Sequence, residues 1–184
     1  MFMKETIKFA KVKDHAKIPS KRDEDAGYDI YPCFEADYVV INPLETMLIP
    51  TGIASALPEG YYFQIQERGS TGSKGIKYGA GVIDSGYRNE WFVPITNCNN
   101  SPIIIAKDIE RLKNSKKMFS FKSCIGITRE FCDINDCILY PYDKGIAQAI
   151  LLEVPKFEVE VLDYKDLKEI PSQRGMGALG SSGK

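Results

Sequence analysis

The chain has 184 residues, enough to bury a core without disulfide or metal staples, and a single domain over 1–184 is expected. Its 24 basic and 25 acidic residues leave a formal net charge of −1, which gives no sign of a nucleic-acid-binding surface. No apolar stretch approaches the ~18 residues of a membrane span. Lysines break up the apolar residues of 1–14, unlike a signal peptide, so a cytoplasmic protein is the expectation.

Short apolar segments separated by turn residues run through most of the chain. Strands are expected at Ile7–Val12, Tyr38–Ile41, Met47–Ile49 and Ile53–Leu57, several of them stopped by Pro or Gly. Tyr61–Gln66 alternates, with Tyr61, Phe63 and Ile65 on one face. Residues 81–97 read as a β-hairpin: Val82-Ile83 delivers Asp84 to a Ser85-Gly86 turn, and Trp91-Phe92-Val93 carries the chain away. Asn89 is a candidate for positive φ in that turn. Further strands are expected at Ile103–Ile105, Gln148–Val154 and Phe157–Val161. Many short, punctuated strands indicate an all-β sandwich, barrel or jelly roll.

The rhythm breaks at 99–142. Ile105, Ile109 and Leu112 fall at helical spacing over Ala106–Lys117, and an aromatic, cysteine-bearing stretch over Phe119–Tyr140 reads as a small hairpin or loop packed on that helix. This is a small α/β insertion in the β domain, too short for a large core of its own. Residues 173–184 are rich in Gly and Ser and read as a mobile arm.

His15 is the only histidine and lies in a lysine-rich terminus, which argues against Ser-His or Cys-His catalysis. The five cysteines (Cys33, Cys98, Cys124, Cys132, Cys137) lack a Cys-x-x-Cys pair, so reduced thiols are expected over a disulfide framework. A zinc site from Cys124, Cys132 and Cys137, with or without Cys98, is the lesser alternative.

Four stretches join the Asp84 turn as carriers of chemistry. Asp25-Ala26-Gly27-Tyr28-Asp29 sets two acids beside a Gly turn. Glu67-Arg68-Gly69-Ser70-Thr71-Gly72-Ser73-Lys74 follows the alternating strand, and its Arg, hydroxyls and approachable backbone N–H groups suit phosphate oxygens. Lys144-Gly145-Ile146-Ala147-Gln148 opens a late strand with an amide. Arg174-Gly175-x-Gly177-x-x-Gly180-Ser181-Ser182 offers a cation, flexible backbone and two hydroxyls. The terminal Gly-Ser-Ser-Gly-Lys is no P-loop, because the first Gly of that motif falls on Ala178 and nothing follows Lys184. Two phosphate-suited loops, a turn-borne acid and no usable histidine point to metal-assisted hydrolysis of a phosphate ester or anhydride.

These five stretches, in this order, resemble the motifs of the homotrimeric deoxyuridine triphosphatases (dUTP pyrophosphatases), the specific pieces being Gly-Val-Ile-Asp-Ser-Gly-Tyr-Arg at 81–88 and the terminal Arg-Gly-x-Gly…Gly-Ser-Ser-Gly. The resemblance runs from Ala26 to the end, apart from 99–142. It implies a dUTPase-like distorted β-barrel or jelly roll, three copies of which share active sites, and Mg²⁺-dependent cleavage of dUTP to dUMP and pyrophosphate. By the same resemblance Asp84 is the base that activates water for attack on the α-phosphorus, and Tyr87 lies under the deoxyribose. The backbone of Gly81, Val82 and Ile83 meets the uracil edge. Arg68, Gly69, Ser70 and Gln148 contact phosphates, and Asp29 reaches Mg²⁺ through water. Arg174, Leu179, Gly180, Ser181 and Ser182 belong to a tail that closes over the nucleotide of another subunit.

Three positions depart from the family pattern. Gly69 stands where a Ser is usual, Gly145 where a basic residue is usual, and Leu179 where an aromatic, often Phe, covers the uracil. The 99–142 segment resembles extra segments in phage-encoded members, which makes a phage or prophage source an expectation and leaves a protein partner at that segment open. Two other readings stand beside the hydrolase. One is a nucleotide-sensing module that grips a partner through 99–142. The other is a dCTP deaminase, which needs a Glu near the hairpin's closing Asn, where this chain has Pro94-Ile95-Thr96-Asn97.

Overall fold

The protein is described here by a computed structural model that covers residues 5–79, 81–115, 118–122 and 129–177. Residues up to 154 form one compact unit and the segment from Pro155 onward a second. In the first unit the strands are β1 (Lys8–Lys11), β2 (Gly27–Ile30), β3 (Tyr38–Ile41), β4 (Thr46–Pro50), β5 (Ile53–Ala56) and β6 (Tyr61–Gln66). A one-turn helix α1 (Gly69–Gly72) leads to β7 (Ile76–Tyr78), β8 (Val82–Asp84), β9 (Phe92–Asn97) and β10 (Ile103–Ala106). Then come α2 (Ile109–Asn114), β11 (Met118–Lys122), β12 (Arg129–Asp133), a 3₁₀ turn (Ile134–Asp136), β13 (Ile138–Pro141) and β14 (Ala147–Glu153).

The strands form small sheets arranged as a jelly roll without a closed barrel: β2-β14-β6-β8, β4-β9-β7, β13-β10-β3, and the pairs β1-β5 and β11-β12. The alternation expected over Tyr61–Gln66 is present, with Phe63 and Ile65 buried and Gln66 exposed. Phe63 sits at the centre of an aromatic cluster, 5.3 Å from Trp91, 5.7 Å from Tyr28 and 5.9 Å from Phe9 between ring centroids. Aromatic pairs at such spacings add about 0.5–1.5 kcal/mol each beyond their area burial. That cluster is the platform under β6, and β6 carries the site.

Four expectations change. The 81–97 stretch is not a two-stranded hairpin: β8 pairs with β6 and β9 pairs with β4 and β7, so the turn between them is a corner joining two sheets. Pattern and turn residues look the same in a hairpin and a corner; the partner strands decide. Asn89 does not take positive φ, which among the described non-glycine residues only Leu44 adopts, at 59°. The helix is shorter than Ala106–Lys117, starting at Ile109 behind Asp108, whose carboxylate accepts from Arg111 N–H at 2.8 Å. Ile105 belongs to β10, where alternate side chains face opposite ways. Ile103 and Ile105 enter the main core, while Ile104 and Ala106 enter a second cluster with Phe119 and Ile134. Finally, Phe157–Val161 makes no strand, and Phe157, Val159 and Val161 are 85%, 90% and 92% exposed. An alternating segment has the makings of a strand but needs an edge to pair with.

The 99–142 stretch therefore divides. The β11-β12 hairpin and α2 build the second cluster, whereas β10 and β13 join β3 in one sheet and contribute Ile103, Ile105 and Tyr140 to the main core. Because β10 and β13 run parallel, the segment between them is a crossover, which a tight turn cannot replace. Among the described cysteines none is in a disulfide, and Cys132 and Cys137 lie with sulfurs 3.2 Å apart. No group of His, Cys, Asp and Glu among the described residues is arranged to hold a metal ion; Cys124, a member of the zinc alternative, lies outside the described residues. Among the described residues no helix is long and apolar enough to cross a membrane.

Candidate active site

The central strand β14 explains which residues meet. Its Gln148 stands opposite Asp29 of β2 on one side and Gln66 of β6 on the other. Two residues beyond Gln66, Arg68 folds back onto this row. Arg68 Nε lies 2.9 Å from Asp29 Oδ1, and Nη2 donates to Oδ2 at 3.2 Å, a bidentate fork. Nη1 donates to the Gly145 carbonyl at 2.9 Å. A guanidinium has five N–H donors; three are spent on the protein, leaving one on each terminal nitrogen for a ligand.

The backbone under Arg68 is fixed by Thr71, which is fully buried. Its hydroxyl accepts from Arg68 N–H at 3.1 Å and donates to Arg68 C=O at 2.9 Å, closing the first turn of α1. Tyr78 donates its phenol to Thr71 Oγ1 at 3.4 Å, and burial pushes that phenol's pKa up to about 12. Gln148 donates to Glu67 C=O at 2.8 Å. Gly27 is required beside it, because a Cβ there would lie 2.9 Å from Gln148 Oε1. Together Asp29, Arg68, Gly69, Ser70 and Gln148 line one polar cleft of about 820 Å³. At its rim Arg22 pairs with Asp25 at 2.9 Å, and that hydrogen bond holds the Asp25 carboxyl below its ordinary value.

Asp84 and Tyr87 are not part of this cleft. Asp84 stands opposite Tyr62 on β6, four residues from Gln66, and on the other side of β6 from Gln148. At ordinary strand rise and spacing that separates Asp84 from Gln148 by roughly 16 Å. The corner is held rigidly all the same: Gly52 N–H donates to Glu90 at 2.8 Å, Tyr87 O–H donates to Glu90 C=O at 3.1 Å, and Arg88 caps the carbonyls of Ser85 and Tyr87. Asp84 is exposed on this corner, and Tyr87 is partly so. β8 is the edge of its sheet; Gly81 C=O already accepts from Ile65 N–H at 2.6 Å, while the pleat turns the backbone groups of Val82 outward. Ile83 is buried beneath them.

In the second unit Arg174 sits in a turn in which Gly177 N–H donates to Arg174 C=O at 3.1 Å and Gly175 takes a φ of 53°. Leu179, Gly180, Ser181 and Ser182 lie outside the described residues. The sequence reading counted the Thr71 hydroxyl among those suited to phosphate, but it is buried and spent on the Arg68 backbone, and the reading gave no site role to Tyr78 or Tyr140. Thr71 was visible as a hydroxyl at N3 of a short helix; the tyrosines carried no signal, since their partners are distant in sequence.

A preset arginine fork beside hydroxyl and amide groups, in an all-β chain, has the chemistry that suits a phosphorylated ligand. The family model described as dUTPase matches residues 14–111. The deoxyuridine 5'-triphosphate nucleotidohydrolase of Hydrogenobaculum sp. (strain Y04AAS1) is 33% identical over 177 residues, covering 94% of this chain and 94% of that protein. The protein of the same name from Leptospira interrogans (strain Fiocruz L1-130) is 34% identical over 99 residues, covering 52% of this chain and 68% of its own length. Among solved structures, the Staphylococcus bacteriophage 80alpha dUTPase with dUPNHPP superposes with a TM-score of 0.68 at 25% identity, covering 97% of this chain and 99% of that one. The chain belongs to the dUTPase family.

Proposed function

We propose that the chain hydrolyses dUTP to dUMP and pyrophosphate in sites shared between copies of a homotrimer. The observation that carries this is the Asp29–Arg68–Gln148 cluster: a cation held by two protein partners with two N–H donors left over, in a chain of the dUTPase family. Arg68, Gly69, Ser70 and Gln148 take the phosphates. Asp84, presented by the corner of a second copy, accepts a proton from water as the water oxygen bonds to the α-phosphorus. The α–β bridging bond breaks, its electron pair leaving with pyrophosphate. Tyr87 supports the deoxyribose, and the backbone around Val82 meets the uracil. Arg174, with Leu179, Gly180, Ser181 and Ser182, closes the tail over the nucleotide.

The separation of Asp84 from the cleft supports a shared site, and so does the exposed alternation of Phe157, Val159 and Val161, which suits pairing with a neighbouring copy. Asp29 suits an outer role toward Mg²⁺. Its two oxygens face Arg68, yet a carboxylate has about four acceptor sites, so it can also take hydrogen bonds from a cation's water. Bound to the triphosphate, Mg²⁺ would offset charge on the leaving oxygens. On the β11-β12 hairpin, Met118 and Phe131 are 53% and 67% exposed, which favours a protein partner there as a second role.

The test is pyrophosphate release from dUTP in the presence of Mg²⁺, against dCTP, dTTP and UTP. Rapid release from dUTP alone is expected. Ammonia from dCTP would make the chain a deaminase, and binding of dUTP without release would make it a sensor.

A further inference from the structure

Tyr140 lies on β13, beyond the residues 14–111 that match the family model. It stands opposite Ile105 of β10 and is 2% exposed. Its phenol donates to the carbonyl of Gly145 at 2.6 Å, the same carbonyl that accepts from Arg68 Nη1 at 2.9 Å. Both lone pairs of that oxygen are thereby used. Burial pushes the phenol's pKa above the ordinary tyrosine value, outweighing the lowering influence of nearby Arg68 and Ser70, so it remains a protonated donor at neutral pH.

The turn at Gly145 has little else to hold it. Ile146 N–H donates to Ile30 C=O at 2.7 Å and Lys144 N–H to Pro141 C=O at 3.2 Å, but Gly145 has no side chain to brace it. A side chain there would be crowded, since a Cβ would sit 3.2 Å from Asp29 Cγ and 3.4 Å from Arg68 Cζ. The Tyr140 phenol therefore fixes the carbonyl that sets the angle of the guanidinium, and with it the direction of the two N–H groups left for a ligand.

We infer that Tyr140 is a positioning residue for the reaction, acting through Gly145 to aim Arg68 at the substrate's phosphates. This rests on the reading of Arg68 as a phosphate contact. It also ties the crossover region to the chemistry: Tyr140, on the strand that returns from the second cluster, reaches the carbonyl that Arg68 also binds. A small misplacement of such a group is enough to slow a reaction tenfold or more.

The test is a double-mutant cycle in the full chain, read as kcat, KM and Tm with dUTP. Tyr140→Phe removes one oxygen from a ring that stays packed, and is expected to lower kcat/KM about tenfold. Arg68→Lys keeps the charge but loses the fork and is expected to lower it further. In the Arg68→Lys background, Tyr140→Phe is expected to change kcat/KM less than about twofold, because its effect travels through the guanidinium. Phe119→Leu, which weakens the second cluster without touching Arg68, controls for stability and is expected to lower Tm while leaving kcat/KM within about twofold. Full additivity of Tyr140→Phe and Arg68→Lys, or no effect of Tyr140→Phe on the native background, overturns the positioning role and leaves the phosphate reading standing. A silent Arg68→Lys overturns both.

Discussion

On the proposed function the cleft and the corner are two halves of one site, and they are prepared in opposite ways. In the cleft, Arg68, Asp29 and Gln148 are locked to one another and to the backbone, so the side chains are preset before any ligand arrives. At the corner the backbone is locked, through Glu90 and Arg88, while the Asp84 carboxylate projects outward. A charged guanidinium on a side chain 29% exposed needs partners to hold its aim; a general base needs only to be delivered to the right place with its lone pairs open. Under that function the contrast puts the energy of preorganisation in side-chain contacts where phosphate charge would be met, and in backbone contacts where a single oxygen would meet water.

The largest expected effect tests the corner. Asp84→Asn keeps shape and removes the anionic base, so turnover should fall ~10²–10⁴-fold with nucleotide binding largely retained. Near-normal turnover would show that Asp84 is not the base. A second experiment tests whether the halves belong to different copies. Arg68→Ala and Asp84→Asn chains, each nearly inactive alone, are co-expressed and the mixed assembly purified. If each site takes Arg68 from one copy and Asp84 from another, random mixing gives about a quarter of the sites both native residues, and activity returns to about that fraction. If both residues come from one chain, mixing recovers nothing.

The two halves were unequally legible in the sequence. Strands β3 and β6 match their expected bounds, because period-2 burial leaves a period-2 pattern. Asp29, Arg68, Ser70 and Gln148, which stand in separate motifs along the chain, line one cleft, since a central strand with a fixed register brings them together. Strand partners were not legible: an apolar run, a Ser-Gly turn and another apolar run describe a hairpin and a sheet corner equally well. The parallel pairing of β10 with β13 was equally hidden, because Ile105 satisfies a helical period and a strand period at once. Thr71 and Tyr140 hold the cleft through contacts to backbone carbonyls, which leave no mark on the sequence of the residue contacted.

A smaller effect probes how tightly the cleft is set. Gly145→Ala places a Cβ against Asp29 and Arg68, whose mutual fork leaves neither able to retreat without losing a hydrogen bond. A few-fold loss in kcat/KM is expected, with a rise in KM, as the fork turns away from the phosphates. Gly69 is the contrast, with nothing within 4 Å of a built Cβ. Gly69→Ser should fold unchanged and tighten dUTP binding by a factor of a few if its hydroxyl reaches a phosphate. Equal behaviour of the two variants would mean that the crowding at Gly145 has no bearing on the site.

The smallest expected effect concerns the hairpin β11-β12. Removing all of 99–142 would take Ile103, Ile105 and Tyr140 out of the main core, each nearly fully buried, and should abolish folding. A short turn in place of the segment also fails, because β13 must start beside the start of β10, not beside its end, and a parallel pair needs a crossover of a dozen residues or more. The informative variant keeps α2, the 3₁₀ turn and both core strands, and replaces 116–132 with a short Gly/Ser link. It loses Phe119 from the second cluster, whose removal should cost about 3–5 kcal/mol, a Phe→Ala-sized penalty. That lowers Tm. None of the residues lining the cleft lies in the replaced stretch, and Tyr140 with its bond to Gly145 is retained. Turnover of dUTP below the new Tm should therefore stay within about threefold of the parent, since trimming a surface loop changes closure entropy by little. A folded variant that no longer turns over dUTP would place the hairpin in the site. A variant that loses binding of a host protein while keeping turnover would assign Met118 and Phe131 to a partner.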